Sequence, residues 1–426
     1  MNIAIAGYGV EGKVSYKYFT ARGHTVTILD EREIVDHLPA EASVVLGRSA
    51  FQNLTVFDMV MRTPSLPPAK LAGAKKIWSA TNEFFEKSPA PIIGVTGSKG
   101  KGTTTSLIAS ILRAAGKTVH LVGNIGVPAL EVLESVQPND VVVYELSSFQ
   151  LWDIERSPHI GVVLMIEPDH LDVHKDFQEY AEAKRNITRY QTANDVLVYN
   201  NTNEVSRAIG EASVAVKIPF QSDIYAHVAD GYFWYGEQKI CSVNALKLPG
   251  RHNQDNACAA IDAAWTYVDS SEAIEKGLSA FTGLPHRLKF VREVEGVKYY
   301  DDSIATTPGS AIAAIDAFEA PKVLILGGSS KGSQYDDLAR AISQQTMRQV
   351  ILIGDEAPKI KAALSVHETP FVNLGTQVTM KEIVIEAKRY AMSGDVVLLS
   401  PACASFGMFK GYDDRGDQFV NEVEAL

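Results

Sequence analysis

The sequence predicts an α/β protein built on largely parallel sheets, and three observations predict it. Short apolar runs recur along the chain, at Ile92–Val95, Asp140–Tyr144, Ile160–Ile166 and Val196–Tyr199, and each ends in polar residues or glycine. Strands buried on both faces read this way, as parallel strands do. Stretches of helical spacing lie between the runs, and strand–helix alternation is the pattern of a doubly wound sheet. Two glycine-rich turns, after Ala6 and after Thr96, each stand between a strand and a helix. With 426 residues the chain suggests two to four domains at ~100–200 residues each. Composition breaks place three: 1–90, 91–282 and 283–426.

Composition excludes several classes. The formal net charge is −11, which argues against a nucleic-acid or anionic-membrane partner. Hydrophobic residues make up 46%, ordinary for a globular protein with a sizeable core. The three cysteines, Cys241, Cys258 and Cys403, have neither metal-site spacing nor a disulfide framework, so a reducing cytoplasm is expected. The opening MNIAIAGYGV lacks a basic n-region and cleavage site, so it does not read as a signal peptide. No apolar run approaches the ~18 residues of a membrane span.

In the first segment, a strand at Asn2–Ala6 runs into Gly7-Tyr8-Gly9-Val10-Glu11-Gly12, then a helix, then a strand from Thr25 to Leu29 ending at Asp30. In isolation this is a dinucleotide fingerprint. About ninety residues precede the second glycine turn, too few for a full two-lobed cofactor domain. A half-Rossmann domain holding another nucleotide diphosphate explains the same glycines. Gly7, Gly9 and Gly12 would admit a pyrophosphate, and Asp30 would take a ribose or base edge. Thr63–Pro68 reads as an extended loop and Ser88–Pro91 as a linker.

The central segment carries Gly97-Ser98-Lys99-Gly100-Lys101-Gly102-Thr103-Thr104-Thr105, followed by helical spacing from Leu107. Strand, glycine loop, lysine, hydroxyls and helix make a phosphate-binding loop, with backbone N–H groups and a helix N-terminus facing the anion. Lys101 can reach terminal phosphates, and a hydroxyl just after it can hold magnesium. The common pattern G-x-x-x-x-G-K-[ST] asks for glycine at Val95 and a hydroxyl at Gly102, so an ordinary nucleotide-kinase loop fits poorly. Ligands of parallel sheets sit at the carboxyl ends of strands. That makes Lys101, Asn124, Glu145, Asp169, His170 and Asn200 candidates. Glu145 and His170 have the chemistry to hold a divalent ion. Lys184, in a helix spanning EYAEAKRNITRY, reads by itself as a solvated surface lysine. Asn253 and Asn256 share one face of a helix's first turn, where two amides can hold a base or sugar; the alternative for Asn253 is a helix cap.

The last segment repeats the α/β pattern, with strands at Lys298–Tyr300, Val323–Leu326, Gln349–Ile353 and Asp395–Leu399. Its motifs are Asp301-Asp302-Ser303-Ile304-Ala305-Thr306-Thr307, LGGSSKG ending at Gly332, and Ser400-Pro401-Ala402-Cys403-Ala404-Ser405-Phe406.

The loop TGSKGKGT resembles that of the Mur ligase family and its relative folylpolyglutamate synthase. GNIG, ELSSFQL, PDHLDVH, LPGRHN, the three C-terminal motifs and the tail GYDDRGDQF are similar to the family's successive motifs, and the resemblance spans nearly the whole chain. It implies a half-Rossmann N-terminal domain binding a UDP-sugar, a central P-loop-type ATPase domain and a Rossmann-like C-terminal domain for ATP and amino acid. The activity it implies is ATP-dependent amide ligation through an acyl phosphate, with the three domains closing to exclude water. The branch most resembled adds glutamate to UDP-N-acetylmuramoyl-L-alanine in peptidoglycan precursor synthesis. ATP with Mg2+, or Mn2+ in its place, and a monomer are expected.

The resemblance also implies residue roles. Gly97, Ser98, Lys99, Gly100, Lys101, Gly102, Thr103, Thr104, Asn253, Asn256, Arg287 and Asp302 would bind ATP. Gly7, Gly9, Gly12, Asp30, Arg32, Asn124 and Ser147 would bind the UDP-sugar. Thr306, Lys331, Ser405, Phe406 and Tyr412 would hold glutamate. Lys101, His170 and Lys184 would serve catalysis, and Thr103, Glu145, His170 and a carbamylated Lys184 the metal. Departures fall at Lys99, usually Asn, at Gly102, usually Ser or Thr, at Ile304 and Thr307, where the D-glutamate branch usually has Lys and Asn, and at Gly407, where the family often has Asp. The changes at Ile304, Thr307 and Gly407 lie near the expected amino-acid site and bear on glutamate stereochemistry; D-glutamate stays the first expectation from the family, with L-glutamate the close alternative. A folylpolyglutamate synthase-like ligase, a dinucleotide-dependent reductase and an idle nucleotide-binding module are the remaining alternatives.

Overall fold

The computed structural model describes residues 1–124, 126–171, 173–330 and 332–426. It resolves into two compact units, Met1–Leu246 with Gln254–Phe281, and Lys247–Asn253 with Thr282–Leu426.

The first unit opens with a five-stranded parallel sheet: β1 (Asn2–Ala6), β2 (Thr25–Asp30), β3 (Ser43–Leu46), β4 (Met59–Arg62) and β5 (Ile77–Ser79), in the order β3-β2-β1-β4-β5. Helix α1 (Val10–Ala21) follows the first glycine turn, and α2 (Ala80–Lys87) leads out of the sheet. β1 is central and apolar from Ile3 to Ala6, and Ile3 and Ile5 are completely buried. Ser88–Pro91 is irregular backbone before the next strand.

A second, six-stranded parallel sheet follows, built in the order β11-β10-β9-β6-β8-β7. Its elements are β6 (Ile92–Thr96), α3 (Lys101–Ala114), β7 (Val119–Gly123), α4 (Ala129–Val132), β8 (Val141–Glu145), α5 (Ser148–Leu151), β9 (Ile160–Val163), α6 (Phe177–Arg185), β10 (Val196–Asn200), α7 (Glu204–Ala212) and β11 (Val216–Phe220). β6 lies between β8 and β9, where the strand order changes direction. The turn after β6 therefore opens at the crevice where such sheets bind ligands.

Two boundaries differ from the sequence reading. The helix after the phosphate loop starts at Lys101, six residues before its first apolar position Leu107, because Gly100 supplies the left-handed turn that starts it. β9 ends at Val163, and Leu164–Ile166 continue as irregular backbone, with the Leu164 N–H donating to Thr96 O and the Met165 carbonyl accepting from Ser98 N–H. The antiparallel sheet β12 (Ala226–Ala229), β13 (Tyr232–Tyr235) and β14 (Gln238–Ser242) was not expected. Helices α8 (Arg251–Trp265) and α9 (Ser271–Ala280) follow.

The second unit holds β15 (Lys289–Val294), β16 (Val297–Asp301), α10 (Pro308–Asp316), β17 (Lys322–Gly327), α11 (Asp336–Ser343), β18 (Met347–Ile353), α12 (Ala357–Ser365), β19 (Phe371–Gly375), α13 (Met380–Tyr390), β20 (Val396–Leu399) and α14 (Tyr412–Glu424). The sheet order is β15-β16-β20-β17-β18-β19, parallel except for the edge strand β15. Among the described residues no helix is long and apolar enough to cross a membrane.

Candidate active site

The phosphate loop is held by the irregular backbone that follows β9 and by α6. The Ser98 N–H donates to Met165 O at 2.8 Å, and its hydroxyl donates to Glu167 O at 2.8 Å while lying 2.8 Å from the Tyr180 hydroxyl. Gly100 has φ +83°, and a Cβ there would stand 2.4 Å from Asn256 Oδ1. Gly100→Ala should therefore combine left-handed strain with a collision, costing about 1–3 kcal/mol; thermal unfolding of the variant measures it.

Two lysines converge on the loop. Lys101, the first residue of α3, donates to Gly97 O at 2.9 Å and Ser98 O at 3.0 Å. Lys184 donates to the same Gly97 carbonyl at 2.7 Å from the last turn of α6, with its ammonium 4.6 Å from the Tyr180 ring centroid. Lys184 is 1% exposed, so the sequence reading of a solvated lysine is corrected. Burial pushes its pKa well below the ordinary lysine value, Lys101 pushes it further, and Asp169 and Glu145 act against that.

Glu145 closes β8, buried. Thr103 is buried in the first turn of α3, and the Thr104 hydroxyl is fully buried with no hydrogen-bond partner among the described residues. Lys99 and Gly102 flank Lys101; Lys99 is exposed and 3.6 Å from Glu167. No three His, Cys, Asp or Glu side chains gather as a metal cage among the described residues. Mg2+ does not require one, since it is commonly held by one or two carboxylates together with substrate phosphates. The hard oxygen donors Glu145 and the threonine hydroxyls fit that ion.

His170 stands on irregular backbone at φ +54°, half-exposed, its ring 5.0 Å from that of Phe149. The buried histidine of the same motif is His174, stacked on Phe149 at 5.3 Å and hydrogen-bonded to Ser148 at 3.0 Å. Burial lowers its pKa and favours the neutral ring. Asp172 and Lys331 lie outside the described residues. Asn200 accepts from Thr202 and Asn203 N–H groups, a local turn that accounts for a polar residue at that strand end.

At the first glycine turn, a Cβ on Gly12 would stand 2.1 Å from Gly7 O, so helix and turn touch only because Gly12 has none. Gly9 precedes α1. Asp30 accepts from Tyr8 N–H at 2.8 Å and pairs with the Arg32 guanidinium at 2.7 Å, which holds its carboxyl down at about 2. Asn124 follows β7, exposed. Ser147 caps α5 in a reciprocal capping box with Gln150.

Asn256 adjoins the phosphate loop in the first unit, while Asn253, in the second, donates its side-chain amide to Pro249 O at 2.6 Å. In the second unit, Arg287 is exposed between two left-handed residues, His286 and Leu288. Asp302 accepts from Leu288 N–H and the Ser400 hydroxyl, and burial raises its pKa to about 7. Ser405 is buried; Phe406 and Tyr412 are exposed, and Thr306 is half-buried. Arg415 was missed. Fully buried in α14, it donates to Ser303 Oγ at 2.9 Å and Ser303 O at 2.8 Å, and so ties the motif at Asp302 to the tail. Its presence three residues after Tyr412 in the tail motif was the available signal.

Comparison with known proteins shows the family. The Mur ligase middle domain matches residues 95–264, and the Mur ligase glutamate ligase domain matches residues 286–403. The UDP-N-acetylmuramoylalanine–D-glutamate ligase of Acetivibrio thermocellus is 38% identical, with 99% of this chain and 97% of that protein covered. The protein of the same name from Clostridium tetani is 37% identical, with 100% and 96% covered. Among solved structures, MurF from Acinetobacter baumannii aligns with a TM-score of 0.65 at 19% identity, covering 99% of this chain and 90% of that one. UDP-N-acetylmuramate–alanine ligase of Thermotoga maritima gives 0.61 at 18% identity, covering 100% and 99%. These two share the fold. With full-length relatives at this identity and two domain matches in order along the sequence, the chain belongs to the Mur ligase family.

Proposed function

We propose that this chain is an ATP-dependent ligase that joins D-glutamate to UDP-N-acetylmuramoyl-L-alanine in peptidoglycan precursor synthesis, acting as a cytoplasmic monomer. The full-length relatives at 35–38% identity carry that name. The structural observation that carries the reading is the convergence of Lys101 and the buried Lys184 on the Gly97 carbonyl of a phosphate loop. We assign the three-domain division at 1–90, 91–282 and 283–426 to UDP-sugar, ATP, and amino acid with ATP, respectively.

In this reading the substrate carboxylate oxygen attacks the γ-phosphorus of ATP, and ADP leaves. The glutamate nitrogen then attacks the acyl carbon, loses a proton, and phosphate leaves. Lys101 and the loop N–H groups neutralise charge spread over the phosphoryl oxygens, so positioning and electrostatics supply the rate. Glu145, Thr103 with Thr104, His170 and a Lys184 carbamate would hold Mg2+, or Mn2+ in its place, which supplies further charge neutralisation. Gly97–Thr104, Asn253, Asn256, Arg287 and Asp302 bind ATP. Gly7, Gly9, Gly12, Asp30, Arg32, Asn124 and Ser147 bind the nucleotide sugar. Thr306, Lys331, Ser405, Phe406 and Tyr412 bind glutamate.

The test is ATP-dependent phosphate release with UDP-N-acetylmuramoyl-L-alanine and either enantiomer of glutamate. Release with D-glutamate alone is expected. Release with L-glutamate alone keeps the mechanism and transfers specificity to the apolar Ile304, which stands where the D-glutamate branch usually has lysine. Silence with both overturns the substrate assignment.

A further inference from the structure

Arg62 closes β4, yet its side chain is 0% exposed. Nε and one terminal nitrogen grip Asp153 at 2.6 and 2.5 Å. The same terminal nitrogen donates to Phe149 O at 2.7 Å. The other donates to Thr63 O at 3.3 Å, Pro64 O at 3.2 Å and Leu66 O at 3.0 Å. The segment Thr63–Pro68 contains three prolines, which have no N–H and cannot build a ladder. Within it the Leu66 N–H donates to Thr63 O at 3.0 Å, and one guanidinium adds a donor to the Thr63, Pro64 and Leu66 carbonyls.

What that segment packs on matters more. Thr63 donates from its N–H and hydroxyl to Ala6 O, at 3.1 and 2.8 Å, and a Cβ on Gly7 would strike the Thr63 hydroxyl at 2.2 Å. Thr63 is thus the floor of the Gly7–Gly12 turn. At the other end of the guanidinium, Phe149 and Asp153 lie in and just beyond the short helix capped by Ser147. Gln150 of that helix donates to Glu11 of the glycine turn at 3.0 Å, and Asn82 adds bonds to Asp153 O and Glu155 N–H.

We propose that Arg62 is a positioning residue for the nucleotide sugar: through the Thr63–Leu66 backbone and Asp153 it fixes the Gly7–Gly12 turn relative to Ser147, so the two sheets of the first unit present one preformed binding surface. This rests on the assignment of that turn and Ser147 to the UDP-sugar. A buried ion pair kept for stability alone could be replaced by apolar packing. One that sets the distance between two halves of a ligand site cannot.

The experiment compares Arg62→Lys and Asp153→Asn with the unaltered full chain, measuring kcat, the KM values for the nucleotide sugar and for ATP, and the thermal midpoint. Lysine lacks the planar fork; asparagine keeps the shape and one acceptor and serves if Arg62→Lys does not fold. KM for UDP-N-acetylmuramoyl-L-alanine should rise about 10- to 100-fold, the effect of a misplacement near 1 Å, while KM for ATP and kcat stay within about threefold. A lowered thermal midpoint with unchanged nucleotide-sugar KM, or a fall in kcat alone, overturns the proposal. Calorimetric titration of UDP separates it from the ligase reading. If the unaltered chain binds UDP without turnover, the ligase reading fails, and positioning stands or falls on whether Asp153→Asn weakens UDP tenfold. If UDP does not bind at all, both fail.

Discussion

Replacing Lys101 with alanine is expected to lower kcat by about 10³-fold, the scale of removing one preorganised charge-stabilising donor, with the fold intact. The start of α3 is set by the left-handed Gly100, not by the lysine side chain, so the backbone frame of the loop survives. The ammonium rests on the Gly97 and Ser98 carbonyls, within the turn that would receive phosphate. Bound phosphate offers it oxygens of full negative charge in place of neutral carbonyls. Lys101→Arg should not restore activity, because a planar fork does not replace a compact point charge packed against a loop. The variant has a second consequence: Lys101 is one of the groups holding the pKa of Lys184 down, so its removal should raise proton affinity there. Single-turnover acyl-phosphate formation, trapped by reduction, measures the chemical step. Activity within tenfold of the unaltered enzyme would remove Lys101 from the mechanism.

Both glycine turns, and the parallel strands that read as apolar runs ending in glycine or polar residues, were legible because such runs have few other readings, while the parallel strands β3, β4, β5, β11 and β19 were not read. The antiparallel pieces were missed although their turn chemistry was visible. Asp230-Gly231 and Glu295-Gly296 are two-residue connections with positive φ at both positions, the type I′ signature. Lys184 was misjudged for a different reason. Tyr180, Ala183, Lys184 and Ile187 lie at i, i+3, i+4 and i+7, a core-facing stripe, and all four are buried. A lysine inside such a stripe is itself the signal, but its hydrophilicity outweighed its position. Arg62, which follows Met59-Val60-Met61, drew no reading from the sequence. Its partners, Asp153 and the Phe149 carbonyl, are far along the chain, and no local rule brings them together.

Lys184 carries the other large expectation, in which activity and stability move in opposite directions. Lys184→Met should abolish ligation, by about 10³-fold or more on the same electrostatic scale, yet stabilise the ligand-free protein. A buried ammonium lacks its hydration, and burial is the main cause of the depressed pKa. A group whose folded pKa lies below its unfolded value leaves the unfolded chain binding more protons between the two, so stability rises with pH across that window. For Lys184 the window runs upward to the unfolded lysine value near ~10.4, and methionine, which fills similar space, should flatten that rise. The same depression raises the share of neutral amine at any pH below the ordinary lysine value. Its lone pair can take up CO2 and release one proton to give the carbamate that the Mg2+ role requires. Three measurements follow: a carbamate carbonyl resonance from 13C-bicarbonate, present in the unaltered protein and absent in Lys184→Met; loss of activity when CO2 is stripped; and partial recovery of Lys184→Ala by acetate, a small carboxylate that can occupy the vacated space. A Lys184→Met enzyme that ligates normally, or one destabilised at every pH, would show that this lysine serves packing rather than chemistry.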